Sequence, residues 1–147
     1  MIANERQYRI TKAKLKEFEN TLAELKALSI PEDINEKLDL ELDIGALSSQ
    51  IEEFKEDLSE YDQLHQNTID RLDLITFETL PQALVKARIA RGLTQEKLAE
   101  RLNVKPQQVQ RDEATLYAGA SFSKLLAVQK ALNVEFKGEM TLPKMSD

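Results

Sequence analysis

Apolar residues recur every three or four positions through the first 28 residues, with lysines and glutamates between them. The members of this stripe are Tyr8, Leu15, Phe18, Leu22 and Leu25, and Thr11 fills the one missing step between Tyr8 and Leu15. Such spacing predicts an amphipathic helix over residues 5–28. The pattern stops before Pro31, because proline disfavours helix in the preceding residue and suits the first turn of a new helix.

A second helical pattern runs from about Pro31 to Leu64, and its apolar positions alternate steps of three and four. This seam consists of Ile44, Leu47, Ile51, Phe54, Leu58 and Tyr61. It is the heptad spacing typical of coiled coils. A short connection makes two helices fold back on each other, so residues 1–65 are predicted to form an antiparallel coiled-coil hairpin. The stripe either closes within that hairpin or also joins a second chain, and the pattern leaves both open.

The helical period breaks after His65, and residues 66–78 are predicted to connect two domains. The apolar residues here are Leu72, Leu74, Ile75 and Phe77, which suggest a short extended segment or a packed connector. Thr79 and Gln82 then have the spacing of a capping box, with Thr79 as the N-cap of the next helix.

Four or five short helices are predicted after this point, and four of them have assignable bounds. Their ranges are about 81–91, 95–102, 105–113 and 121–132. Gly92 suits the end of the first, Thr94 is a good N-cap for the second, and Pro106 fits the first turn of the third. The fourth has an apolar stripe that comprises Phe122, Leu125, Leu126 and Leu132.

The third of these short helices has an unusual outward face. With Val109 on the core side, Gln107 and Arg111 point almost directly away, and Gln108 and Gln110 flank them. Glutamine can pair with the edge of adenine and arginine with that of guanine, each pair contributing about 1–3 kcal/mol of discrimination. An ordinary solvated helix is the alternative reading of the same residues.

Residues 80–136 resemble the XRE/Cro-like helix-turn-helix family of phage repressors and bacterial regulators. The shared pattern comprises Arg88, Gly92-Leu93-Thr94-Gln95, Leu98-Ala99, Leu102, Val104, Val109, Glu113 and Ala131-Leu132-Asn133-Val134. The resemblance implies a five-helix-type, lambda-repressor-like DNA-binding domain over residues 79–136, followed by a flexible tail at 137–147. The whole chain is therefore expected to be all-α.

The resemblance also implies roles for single residues. Gln95 is expected to anchor to a backbone phosphate, and the neighbouring Thr94 is also expected to contact DNA. Bases are expected to be read by Gln107 and Arg111. Phosphate or base contacts are expected from Lys105, Gln108 and Gln110. A buried ion pair between Arg88 and Glu113 is expected to be structural, and Glu113 does lie on the Val109 side of its helix.

Two positions depart from the family pattern. Asp112 stands where the family usually has a bulky apolar residue. The loop at residues 114–119 replaces the usual glycine or asparagine turn. Contacts to DNA from Ser121, Ser123 or Lys124 are therefore not predicted.

The N-terminal hairpin has no counterpart in phage repressors. A long helical region before such a domain resembles some DNA-binding antitoxins of toxin–antitoxin operons. In those proteins one region covers a protein toxin, and the helix-turn-helix represses the operon.

Catalytic chemistry has little support in the sequence. The chain has no cysteine, and His65 is its single histidine, which favours a linker role over a catalytic or metal site. Acidic clusters such as Glu52-Glu53 and Glu56-Asp57 are typical of a solvated helix face. We therefore expect no enzyme activity, no cofactor and no metal.

Charge divides the chain into two unlike parts. Residues 1–78 hold 9 Lys and Arg against 19 Asp and Glu, whereas residues 79–147 hold 11 against 7. A basic part tethered to an acidic part can still bind nucleic acid. With no membrane-spanning or signal segment in the pattern, the expectation is a cytoplasmic, homodimeric, sequence-specific DNA-binding regulator, most simply a repressor. The alternative is an antitoxin that neutralises a toxin through its N-terminal helices.

Overall fold

The structure is a computed structural model that describes residues 1–66, 68–73 and 75–146. All regular secondary structure in these residues is helical, which confirms the all-α prediction. The helices are α1 (Glu5–Ala27), α2 (Ile34–His65), α3 (Leu80–Ala90), α4 (Gln95–Leu102), α5 (Pro106–Ala114) and α6 (Phe122–Leu132).

Helices α1 and α2 form the N-terminal hairpin. The side chain of Asn4 caps α1 by accepting a hydrogen bond from the amide of Gln7 at 2.9 Å. Asp33 caps α2 in the same way, so this helix begins after the acids rather than at the preceding proline. The rings of Phe18 and Phe54, from the two predicted stripes, pack with centroids 5.3 Å apart.

The two helices of the hairpin differ in length. α1 has 23 residues and α2 has 32, a difference of roughly 14 Å of helix. Because α1 and α2 meet at Phe18 and Phe54, the first turns of α2 extend past the end of α1. Ile34, Leu38 and Leu42 in those turns are 79%, 54% and 62% exposed.

The base of the hairpin shares a core with the C-terminal helices. Residues Ile2, Leu58, Tyr61 and Leu64 belong to the same buried cluster as Leu84, Val85, Ile89, Leu98, Val109, Val128 and Leu132. A salt bridge between Lys86 and Glu60 joins α3 to α2 across this contact. The hairpin therefore packs directly against the domain that follows it.

The connector is only partly packed. Ile69 and Leu72 are half-buried against the core, whereas Phe77 is exposed. Leu74, another apolar residue of the predicted connector, and Asn67 lie outside the described residues. The predicted capping box is wrong: Thr79 precedes α3 in helical geometry and makes no capping bond, because its hydroxyl bonds with Thr76 instead.

Helices α3 to α6 form the C-terminal domain. Ser121 caps α6, and Val128 and Leu132 are its buried residues. Phe122 and Leu126 are 66% and 40% exposed, so their place in the predicted stripe is wrong, whereas Leu125 is partly buried against the core. No fifth helix follows between residues 134 and 146, and Asp147, the end of the predicted tail, lies outside the described residues.

Candidate nucleic-acid interface

The turn between α3 and α4 depends on a glycine. Gly92 has φ +66°, a left-handed conformation that costs other residues steric strain. The amide of Leu93 then bonds back to the carbonyl of Arg88 at 3.1 Å. Thr94 follows and caps α4 by accepting a hydrogen bond from the amide of Lys97 at 3.1 Å. Both Thr94 and the N-terminus of α4 are thereby fixed at the surface.

The turn between α4 and α5 is equally well defined. Asn103 ends α4 in the left-handed conformation, with φ 55° and ψ 44°. The amide of Val104 bonds to the carbonyl of Ala99 at 3.0 Å, which closes the turn. Pro106 occupies the first turn of α5, where its missing N–H is harmless. Lys105 is exposed at the N-cap position of this helix.

Helix α5 presents a polar outer face. Its buried residues are Val109 and Glu113, whereas Gln107, Gln110 and Arg111 are exposed. These three side chains project from a helix of nine residues that packs closely on α4. An exposed row of amides and one guanidinium is the chemistry that reads base edges in a major groove.

Gln108 and Asp112 link the outer face of α5 to α6. The side-chain Nε2 of Gln108 donates a hydrogen bond to Asp112 at 2.9 Å, and its Oε1 accepts one from Arg111 at 3.2 Å. Lys124 of α6 lies 2.5 Å from the other oxygen of Asp112. This ion pair explains how a carboxylate takes the position where the family has an apolar residue. It also commits Lys124 to a contact within the protein.

Arg88 and Glu113 form a buried, bidentate ion pair. The Nε of Arg88 donates to one carboxylate oxygen at 2.6 Å, and an Nη donates to the other at 2.9 Å. Further donors of the guanidinium bond to the carbonyls of Leu93 and Ala3. Since both side chains are almost fully buried, the pair ties α3, α5 and the N-terminal segment together.

Tyr117, in the loop after α5, is buried close to this pair and was not singled out by the sequence. Burial is the main cause that raises the pKa of its hydroxyl, and the nearby Glu113 carboxylate raises that pKa further. Leu116 and Tyr117 both have positive φ values, of 49° and 56°. The loop thus turns sharply to bring the Tyr117 ring into the core.

Gln95 lies in a different environment from the one expected of a phosphate anchor. Its side chain is only 6% exposed. Its Nε2 donates to Glu113 at 2.8 Å, and its Oε1 accepts from the amide of Asn4 at 3.1 Å. Both ends of the Gln95 amide are therefore engaged inside the protein. The Arg88–Glu113 pair and Gln95 belong to one polar network.

The sequence did not predict that the N-terminal segment, including Ala3 and Asn4, contacts the candidate interface. Asn4 contacts Gln95, 91 positions away in the chain, and the Ala3 carbonyl contacts Arg88. Beside them a groove of about 780 Å³ runs between the start of α1 and the helices α4 and α5, and its lining includes Arg6 and Gln110. The local signal at Asn4 is only that of a helix cap, which says nothing about a distant partner.

A comparison with protein families gives this domain its classification. Residues 84–138 match the family model described as helix-turn-helix. The C-terminal domain is thus similar to helix-turn-helix domains of the XRE family. No curated protein and no solved structure matches the chain. A helix-turn-helix of this family is a DNA-binding regulatory domain rather than a catalytic one.

The described residues offer little support for a metal site or a membrane-spanning segment. Residues 1–66, 68–73 and 75–146 contain no cluster of three or more potential metal-binding side chains. His65 ends α2, where its ring stacks on Tyr61 with centroids 5.6 Å apart. None of the described helices is both long and apolar enough to cross a membrane.

Proposed function

We propose that the protein is a sequence-specific transcriptional regulator, most simply a repressor, whose α5 enters the major groove of DNA. The observation that carries this proposal is the exposed row of Gln107, Gln110 and Arg111 on α5. The opposite face of this helix is held in the core by the buried residues Val109 and Glu113. Gln107 and Arg111 read base edges, and Gln108 and Gln110 supply base or phosphate contacts.

Phosphate contacts position the domain on the duplex. Thr94 at the start of α4 and Lys105 at the start of α5 are exposed beside helix N-termini, where the backbone dipole favours an anion. Gln95 joins them only when its side chain leaves Asn4 and turns outward. The supporting observation is that the Asn4–Gln95 hydrogen bond lies at the very start of α4.

A homodimer in the cytoplasm is part of the same proposal. One short helix covers only a few base pairs, whereas two such helices about 34 Å apart reach successive major grooves. In this proposal residues 1–65 bring two chains together, residues 66–78 connect the two domains, and residues 79–136 bind DNA.

The test is selection of bound sites from a random duplex pool, followed by two matched variants. Arg111→Ala removes a base contact, so one position of the selected site should lose its preference at a cost of about 1–3 kcal/mol. Lys105→Ala removes a phosphate contact, so all sequences should bind more weakly and the salt slope should fall by about 1. An unchanged site selection by Arg111→Ala contradicts the role of that residue.

A second candidate function is that of an antitoxin. The observation that favours it is the exposed apolar row of Ile34, Leu38 and Leu42 on acidic α2, a surface suited to a basic protein. The neighbouring gene discriminates the two: a small, basic, ribonuclease-like reading frame favours the antitoxin, and its absence favours a plain regulator.

A further inference from the structure

The far end of the hairpin exposes an apolar surface that none of the described residues covers. We call the first three turns of α2, residues 34–43, the overhang, because they extend past the end of α1. Ile34, Leu38 and Leu42 lie four residues apart and therefore form one row. Large apolar side chains grouped in this way mark an interaction surface.

The overhang is also strongly acidic. The overhang and the two residues before it, 32 to 43, hold one cation and six acids: Lys37, Glu32, Asp33, Glu36, Asp39, Glu41 and Asp43. Two overhangs placed side by side would repel each other, which disfavours a parallel pair of hairpins. A partner for this surface needs positive charge next to exposed apolar atoms.

The first half of α1 has that combination. Residues 5 to 16 hold one acid and five cations: Glu5, Arg6, Arg9, Lys12, Lys14 and Lys16. These cations and the large apolar residue Ile10 are exposed, whereas the acids at the same level of the hairpin, such as Asp57 and Asp62, belong to α2 and contact Met1 and Tyr8. The exposed side of α1, rather than the base of the hairpin as a whole, therefore complements the overhang of another chain in charge and in hydrophobicity.

We infer that two copies of the chain pair through their hairpins in antiparallel orientation, the overhang of each lying along the basic first half of α1 of the other. Each helix-turn-helix domain packs on the base of its own hairpin, so this pairing places the two domains at opposite ends of the bundle. Their separation is then set by α1, whose 23 residues span about 35 Å.

That length is close to the roughly 34–36 Å between half-sites one helical turn apart. The match between bundle length and half-site spacing rests on the proposed DNA-binding function. The pairing itself rests only on the charge and the exposed apolar row, and can be tested without DNA.

Cysteine cross-linking tests the pairing, because the chain has no cysteine of its own. Full-length Ile10→Cys and Leu38→Cys proteins are mixed and treated with a short bis-maleimide. Antiparallel pairing predicts a mixed cross-linked dimer and little Leu38→Cys self-product; abundant self-product indicates parallel pairing and overturns the inference. Each variant carries a single cysteine, so every cross-linked product joins two chains.

Sedimentation equilibrium supplies the second measurement. The unmodified protein should have the mass of a dimer, and Leu38→Glu together with Leu42→Glu should give a monomer with unchanged helical content, because both side chains are exposed. Thr21→Glu together with Ala23→Glu, which adds the same two negative charges at exposed sites of α1, is the matched control and should remain dimeric. A monomeric unmodified protein overturns the inference and leaves the overhang to a different, basic protein.

Site selection separates this inference from the proposed function. A dimer that cross-links as expected but selects no DNA site contradicts the function alone. A monomer that still selects a single half-site contradicts the pairing alone.

Discussion

Arg88 is central to the domain, because its charge is buried and makes four hydrogen bonds. Its guanidinium serves Glu113, the Leu93 carbonyl and the Ala3 carbonyl at once. A buried charge of this kind adds little net stability over an apolar replacement of the whole pair. Removal of one partner, in contrast, leaves the other without compensation.

Arg88→Ala should therefore lower the free energy of unfolding by about 3–5 kcal/mol. Arg91→Ala is the matched control, since Arg91 lies one turn later, is exposed, and donates only to the Asn133 carbonyl. Its cost should stay within about 0.5 kcal/mol, as for other surface changes. Urea denaturation followed by circular dichroism measures both, and equal losses for the two variants would contradict the special role of Arg88.

Single residues also mark the limit of what the sequence predicts about the site. The outward direction of Gln107 and Arg111 follows from helical periodicity, which is a local property of the chain. The hydrogen bond between Asn4 and Gln95 does not follow from periodicity. It depends on how the two long helices place the C-terminal domain next to the first residues of the chain. Long-range polar contacts leave no periodic trace in a sequence.

Among the elements, helix ends were predicted well where the end depends on one residue's own backbone or side chain. Thr94 caps α4 as expected from its type. Thr79 has the same type but spends its hydroxyl on Thr76, three residues earlier, so the capping-box prediction failed. Competition between neighbouring side chains for one donor or acceptor is what residue type alone does not reveal.

The turn between α4 and α5 gives a test at this scale. Asn103 holds the left-handed conformation that lets α5 cross α4. Asn103→Val should cost about 1–2 kcal/mol, because a branched side chain clashes there, whereas Asn103→Gly should be neutral or slightly stabilising. Asn20→Val, on the exposed face of α1, is the control and should change little, since the two residues have similar helix propensities. Thermal unfolding compares all three, and a tolerated valine at 103 would argue against the left-handed turn.

At the scale of the whole molecule, the N-terminal segment joins the hairpin to the DNA-binding domain. The free amino group of Met1 bonds to Asp57 of α2 at 3.1 Å, Ile2 is buried in the shared core, and Asn4 reaches α4. The hairpin is thereby connected to the residues that the proposed function uses on DNA.

A change at Asn4 tests whether that connection restrains DNA binding. Asn4→Ser keeps an N-cap for α1 but is too short to reach Gln95. If Gln95 must leave Asn4 to contact phosphate, loss of this bond, worth about 0.5–1.5 kcal/mol, should tighten DNA binding by about 2- to 12-fold. In a Gln95→Ala background the same change should have no effect on affinity, which isolates the pair as a double-mutant cycle. Titration of labelled duplex at fixed salt measures the four proteins. An unchanged affinity for Asn4→Ser would assign Gln95 to the buried polar network with Glu113 and remove it from the phosphate contacts.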